Sequence, residues 1–268
     1  MPAERSRPTF LPGDDAQPAT RPSSSSPLGW LLRELGRRFG VGWRAAPADA
    51  RKRWLAWVAG GFVVACMLVL FLVHLIHALE HRGTLAWERP WEAHAIATSP
   101  ISISSAIWFQ TIGTDITLWL LVLLTGGIAV WAYRPFRGLA IVLAYVVLDL
   151  VVRIGWATWH RHRPDLVLGG AVAPGFASFP SGHTGKTIAV YGTLAWFWAR
   201  AARSWLERVV PFVIVAVLDV LTAYGRMRMG AHWPTDLMGG FTLGLFWLIL
   251  TIVALEVSGV ERSRERPG

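Results

Sequence analysis

Residues 54–79 read WLAWVAGGFVVACMLVLFLVHLIHAL, a run with no Asp, Glu, Lys or Arg. Crossing the hydrocarbon of a bilayer takes about 20 apolar residues in a helix, and this run exceeds that. It begins too late and runs too long for a cleavable leader, so it reads as a signal anchor. Five further segments reach or approach the same length: Ile112 to Tyr133, Leu139 to Trp159, Thr184 to Ala199, Val209 to Tyr224 and Leu237 to Val257. Hydrophobic residues make up 53% of the 268 positions and charged residues 16%, the composition of a membrane protein rather than a water-soluble one. The expected fold is all-α: a polytopic helical membrane protein with six transmembrane helices.

The net charge of +9 is unevenly placed along this frame. With the N-terminus inside, the cytoplasmic segments hold 18 Lys and Arg and the outer segments hold 6, with Arg153 and Lys186 inside spans. The positive-inside rule therefore puts both termini in the cytoplasm. Arginines that flank spans instead of forming one stripe exclude nucleic acid as a partner. Trp54, Trp57, Trp87, Trp91, Trp131, Trp156, Trp159 and Trp233 fall near span ends, as an interfacial aromatic belt requires. Cys66 is the single cysteine, so no intrachain disulfide forms.

Three regions follow. Residues 1–53 form a cytoplasmic tail, rich in Pro and Ser up to residue 27, with a short basic amphipathic helix of Leu28, Leu31, Leu32, Leu35 and Phe39 against Arg33, Arg37 and Arg38. Residues 54–257 form the membrane domain, and 258–268 a cytoplasmic C-terminal tail. Within the membrane domain, residues 80–111 are too polar to span and too apolar for a plain loop, which reads as an interfacial or re-entrant cap over the outer mouth. The glycines and prolines between Pro164 and Pro180 give an irregular backbone suited to an anion.

Chemistry-bearing residues gather at outer helix ends. His183 follows Pro180-Ser181-Gly182 and opens the fourth span, where unpaired N–H groups and the helix dipole favour phosphate. His232 precedes Trp233-Pro234-Thr235-Asp236; Pro234 suits a first helical turn, so Asp236 can turn back to one imidazole nitrogen and leave the other free to attack. Arg163 and Arg226 offer fork-shaped donors for phosphate oxygens. Charge counting and this clustering agree on one face of the membrane. Gly185-Lys186-Thr187 is not a P-loop, because Pro180 stands where the first glycine belongs and no strand precedes it. His74, His77 and His81 share a stripe at the outer end of the first span and read as a polar helix end.

Arg163-Pro164, Pro180-Ser181-Gly182-His183, and Arg226 with His232 and Asp236 resemble the three signature motifs of the type 2 phosphatidic acid phosphatase superfamily. The resemblance covers roughly residues 55 to 257. It implies a helical-bundle membrane phosphatase that hydrolyses a lipid phosphate or diphosphate (a polyprenyl diphosphate such as undecaprenyl diphosphate, phosphatidylglycerophosphate or phosphatidic acid) at the extracytoplasmic face of a bacterial inner membrane. It implies His232 as a nucleophile forming a phosphohistidine, Asp236 orienting it, and His183 as the acid for the leaving oxygen. Arg163, Ser181, Gly182 and Arg226 would bind the phosphate, with no cofactor and no metal. Oligomeric state is not readable.

Two positions depart from the pattern. The family's Lys, seven residues before its Arg, is Trp156 here, and Gly225 precedes Arg226 where Ser is usual. Lys186, one turn past His183 on the same helix face, is the expected substitute for the missing cation, with Arg161 and Arg153 as lesser candidates; Asp149 stands four residues before Arg153 as an intrahelical partner. Asp219 is expected to meet a partner on another span. The departure keeps two alternatives open beside hydrolysis: a non-catalytic lipid-phosphate binder, and a phosphotransferase to a sugar or lipid acceptor.

Overall fold

The computed structural model describes residues 26–167 and 177–261. The glycine- and proline-bearing stretch read as an anion loop lies largely outside the described residues, as do residues 1–25 and the last seven. The described residues fold into helices joined by short connections: α1 Pro27–Arg44, α2 Ala48–His81, α3 Glu88–Thr98, α4 Ile103–Thr111, α5 Asp115–Trp131, α6 Pro135–Thr158, α7 Gly182–Ala201, α8 Trp205–Arg228 and α9 Pro234–Ser258. No strand occurs among them.

Helix boundaries follow local chemistry. Ser26 Oγ accepts the Gly29 N–H at 3.1 Å to start α1, and Ser204 Oγ accepts that of Glu207 at 3.2 Å to start α8. Pro135 and Pro234 occupy first-turn positions of α6 and α9, where a missing N–H costs nothing. Gly259, at φ +74°, ends α9 in a left-handed conformation that a Cβ would disfavour.

Helix α7 is the axis of the bundle. It packs between α6, α8 and α9 and buries Thr184, Lys186, Thr187 and Thr193 along with Ile188, Ala189 and Val190. The principal core joins Val69 of α2, Leu118 and Val122 of α5, Ala144 and Leu148 of α6, and Leu243 and Trp247 of α9. The outer surface is the reverse of a soluble protein's: Ile116, Leu120, Leu123 and Leu124 of α5 and Val220 of α8 are more than half exposed. Apolar patches of that extent are stable against lipid rather than water.

Among the described residues four helices are long and apolar enough to cross a membrane: α2, the α4–α5 stretch Ile103–Trp131, α6 and α9. The fourth and fifth expected spans appear as α7 and α8, long helices but more polar. Their polarity has a reason in the packing. α7 is enclosed by other helices and turns its threonines and lysine inward, and α8 carries Glu207 and Arg208 at one end, Arg226 and Arg228 at the other.

The outer segment is helical, with α3 and α4 both packed against α8. Ser99 and Tyr224 share a 2.5 Å hydroxyl bond, and Arg228 Nε donates to the Ile101 carbonyl at 2.9 Å. On the opposite side, Arg37 and Arg38 do not line an outward polar face. Both turn to the buried Glu34, at 2.7 and 2.6 Å, and Arg38 lies 4.0 Å above the Trp131 ring.

The α7–α9 contact is nearly backbone on backbone. A Cβ on Gly240 would land on Thr184 Oγ1 and the Ser181 carbonyl, and one on Gly244 on the Gly185 carbonyl. Gly240→Ala is therefore expected to destabilise the protein by about 1–3 kcal/mol, the usual cost of overpacking. Gly127→Ala, where nothing lies within 4 Å, should leave the melt of the detergent-solubilised protein unchanged or slightly raised.

Candidate active site

The tight α7–α9 contact brings the second and third motifs together. The Ser181 N–H donates to the Asp236 carbonyl at 3.0 Å, so the start of α7 is stitched to the first turn of α9. His232 lies just before that turn, 1% exposed. Arg163 enters from the loop after α6: one guanidinium N–H donates to the Ala231 carbonyl at 2.7 Å, and the same nitrogen lies 3.4 Å from His232 Nε2. Its other terminal nitrogen donates to the Ala177 carbonyl at 3.1 Å. Arg226 comes from the end of α8, with Nη1 donating to Gln110 Oε1 at 2.6 Å. His183 lies within electrostatic range of Arg226, His232 and Arg163. Residues from three separate stretches of chain thus share one cluster at one end of the bundle.

Two buried donors in the motif residues lack a partner among the described residues: Ser181 Oγ and Arg226 Nε. A buried donor left unpaired costs roughly 1–3 kcal/mol. A hydroxyl and a guanidinium N–H beside two histidines and a second arginine form a donor set suited to an anion, and the Ser181–Gly182 start of α7 adds the positive end of a helix dipole.

The imidazole of His232 is held differently from the expectation. Its Nδ1 donates to the Ser178 carbonyl at 2.8 Å, while Asp236 Oδ2 stands 3.6 Å away, beyond hydrogen-bond reach. The reason lies in what else claims the carboxylate. Oδ2 accepts the Trp233 N–H at 2.8 Å, capping α9, and Oδ1 accepts from Arg161 Nη1 at 2.6 Å. With Nδ1 occupied as a donor, Nε2 carries the free lone pair and faces Arg163. Burial, with the Arg226 and Arg163 charges behind it, holds His232 well below the ordinary imidazole range, so the ring is neutral.

Lys186 and the other candidates for the missing cation have partners of their own. Lys186 Nζ bonds Asp115 and lies 3.2 Å from Asp149, as an ammonium in a low-dielectric interior requires. Arg153 pairs with Asp149 at 2.6 Å. Arg161 is enclosed by Asp236, Thr235, Glu88 and Glu80. Trp156 itself donates its indole N–H to the Pro180 carbonyl at 3.1 Å and so braces the loop that ends at Ser181.

Acids distant in sequence also gather here, because α2 and α3 bring Glu80, Glu88 and Glu92 to the Arg161–Asp236 pair. Gln110, Glu88 and the Ser178 carbonyl were not legible as site residues. For Glu88 the one available signal was its spacing of four from Glu92 in a segment of mixed polarity. Asp219, expected to meet another span, has a buried Oδ1 without a partner among the described residues.

The PAP2 superfamily model matches residues 137–258, the stretch that carries all three motifs. The likeness read from those motifs therefore holds over this stretch. Phosphatidylglycerophosphatase B of Bacillus subtilis is 28% identical over 151 residues, 53% of this chain and 73% of that protein. A decaprenylphosphoryl-5-phosphoribose phosphatase of Mycobacterium tuberculosis is 26% identical over 177 residues, 64% of this chain and 90% of that protein. The crystal structure of a transmembrane PAP2-type phosphatidylglycerolphosphate phosphatase from B. subtilis superposes with a TM-score of 0.63 at 24% identity, covering 72% of this chain and 96% of that one; it shares the fold.

Two outcomes follow from the site's electrostatics. A buried histidine kept neutral binds fewer protons folded than unfolded below the ordinary value of about 6.5, so stability rises with pH in that window. The melting temperature is therefore expected to fall as pH drops below about 6.5, and His232→Asn should flatten part of that slope. Lys186→Met should lower the melting temperature, because it removes the buried ammonium that Asp115 and Asp149 share, while the folded fraction keeps the parent's affinity for substrate. A raised KM for that variant would instead return Lys186 to the phosphate.

Proposed function

We propose that this chain is a membrane lipid phosphatase, hydrolysing a lipid phosphate or diphosphate through a phosphohistidine on His232. The observation that carries the reading is the pair of buried donors without a partner among the described residues, Ser181 Oγ and Arg226 Nε, set beside a neutral histidine whose free nitrogen faces Arg163. A tetrahedral anion meets all of these needs at once.

In this reading Arg163, Ser181, Gly182 and Arg226 hold the phosphate oxygens and offset their charge. The Nε2 lone pair attacks phosphorus while the bond to the leaving oxygen breaks, and His183, protonated once the anionic phosphate offsets the arginine charges beside it, gives that oxygen its proton. Water then attacks the phosphorus–nitrogen bond, losing its proton to His183 and regenerating neutral His232. Asp236 steadies the positive charge that His232 acquires as its Nε2–phosphorus bond forms. No divalent metal enters this sequence, because the guanidinium groups supply the positive charge and Glu80, Glu88 and Asp236 are directed at Arg161.

In this reading α7 and α8 complete a set of six spans, the motifs face the extracytoplasmic side of a bacterial inner membrane and both termini lie in the cytoplasm, as the distribution of Lys and Arg favours. A polyprenyl diphosphate, such as undecaprenyl diphosphate, fits an outward-facing site. The relatives support a lipid substrate, one named for phosphatidylglycerophosphate and one for a polyprenyl phosphoribose.

Phosphate release by the purified protein in detergent, measured with and without EDTA across polyprenyl diphosphates, phosphatidylglycerophosphate and phosphatidic acid, tests the reading. Turnover is expected in EDTA, and His232→Ala and His183→Ala should each reduce it by about 10³-fold or more with folding intact. Asp236→Asn should lose less, since that carboxylate orients and does not react. Turnover within tenfold of the parent for either histidine variant overturns the assignment. Binding of lipid phosphate without release identifies a binder, and transfer of the phosphate to an added sugar or lipid in place of water identifies a phosphotransferase.

A further inference from the structure

The outer helix α3 lies far from the motifs in sequence, yet its first residue reaches the base of the site. Glu88 is 2% exposed and uses both carboxylate oxygens. Oε1 accepts the Thr235 N–H at 2.9 Å and its hydroxyl at 2.8 Å; Oε2 accepts Arg161 Nη2 at 2.6 Å. Arg161, 4% exposed, passes the connection on through Nη1, which donates to Asp236 Oδ1 at 2.6 Å and Thr235 Oγ1 at 2.7 Å, while its Nε meets Glu80 at 2.8 Å. Thr235 and Asp236 are the second and third residues of α9, directly after His232 and Trp233. One carboxylate on α3 thus grips the first turn of α9 twice, once directly and once through a guanidinium.

We propose that α3 is a working part of the active site, in which Glu88, acting through Arg161, sets the position of Asp236 and with it the pose of the His232 ring. This rests on the reading of His232 as the nucleophile. The pull of Arg161 on Oδ1, together with the cap to Trp233, leaves Oδ2 at 3.6 Å from Nδ1. At that distance Asp236 steadies positive charge on the ring without displacing the Ser178 carbonyl from the Nδ1–H, so Nε2 stays aimed at Arg163. Glu88 and Arg161 are positioning residues; neither touches the phosphate. Without the Glu88 carboxylate the guanidinium keeps Asp236, Thr235 and Glu80 but loses its bond to α3, and the Thr235 hydroxyl and N–H lose their acceptor.

The next turn of α3 supplies an internal contrast. Glu92 is fully buried and neither of its carboxylate oxygens has a partner among the described residues. Burial, with Asp236 and Glu88 adding to it, pushes its carboxyl up to about 8, so it is neutral at pH 7 and amide-like in charge. Two acids one turn apart on one helix therefore differ sharply: Glu88 is in the chain of bonds to Asp236 and Glu92 is not.

The test is a double-mutant cycle on the full-length protein in detergent, with melts recorded for every variant. Glu88→Gln is expected to lower kcat on the order of 10- to 100-fold with KM changed by less than about twofold, the signature of a misplaced reacting group. In an Asp236→Asn background the same change should cost less than about threefold, because the residue it acts through is already altered. Glu92→Gln should leave kcat within about twofold of the parent. If Glu88→Gln does not fold, Glu88→Asp carries the cycle, keeping the charge while withdrawing its reach. Equal losses in both backgrounds, or a kcat within about twofold of the parent, overturn the proposal and make Glu88 a structural anchor.

A second readout needs no turnover. With ¹⁵N-labelled histidine, the His232 ring signals, identified by their loss in His232→Gln, should move in Glu88→Gln and stay in place in Glu92→Gln. A parent that releases no phosphate refutes the phosphatase reading, and the ring signals still decide the positioning. Unmoved His232 signals in Glu88→Gln overturn it.

Discussion

A guanidinium placed where water does not reach must be met by carboxylates, and in this protein that requirement governs the outer end of the bundle. Arg161 draws Glu80 from the end of α2, Glu88 from α3 and Asp236 from α9 to one point. Breaking a buried pair by deleting one partner leaves an uncompensated charge and costs about 3–5 kcal/mol, so elements joined this way are fixed relative to one another. His232 and the arginines beside it inherit that fixity. Asp236 is the hinge between the two roles, since one oxygen belongs to Arg161 and the other caps the helix whose preceding residues include His232.

The second constraint is steric. The α7–α9 contact admits no Cβ at Gly240 or Gly244, which lets the Ser181 N–H reach the Asp236 carbonyl. This brings the dipole end of α7 and its serine to the side of His232. Close glycine-mediated approach of helices is a common solution in membranes, where dispersion contacts replace the hydrophobic effect as the force between helices. Polar groups in α7 are then satisfied inside the bundle, with Lys186 facing Asp115 and Asp149. The same burial makes α7 less apolar than a lipid-facing span.

Much of this was legible in the residues. Apolar runs gave the helices to within a few positions, because a bilayer imposes length and hydropathy on anything that crosses it. Arg163, Ser181, His183, Arg226, His232 and Asp236 stood out as charged or nucleophilic groups at helix ends, where an apolar chain has no other use for them. Glu88, Gln110 and the Ser178 carbonyl did not. A single Glu or Gln in a half-polar outer segment has no periodicity to mark it, and a backbone carbonyl has no side chain to read. Trp156 showed as a departure, but its bond to the Pro180 carbonyl depends on how α6 meets the following loop.

The sequence by itself determined that this is an all-helical chain with membrane-length segments, and that its reactive groups share one end of the bundle, because hydropathy and residue type are properties of the chain. Only the tertiary structure decided which partner each charge takes. Lys186 went to Asp115 and Asp149, Arg161 to three carboxylates, and the His232 Nδ1–H to Ser178 in place of Asp236. The physical reason is that ion pairing and hydrogen bonding in a buried site are settled over a few ångströms. Helix rotation, a glycine's missing Cβ and the reach of a side chain from a distant element control those distances, and no spacing along the chain encodes them.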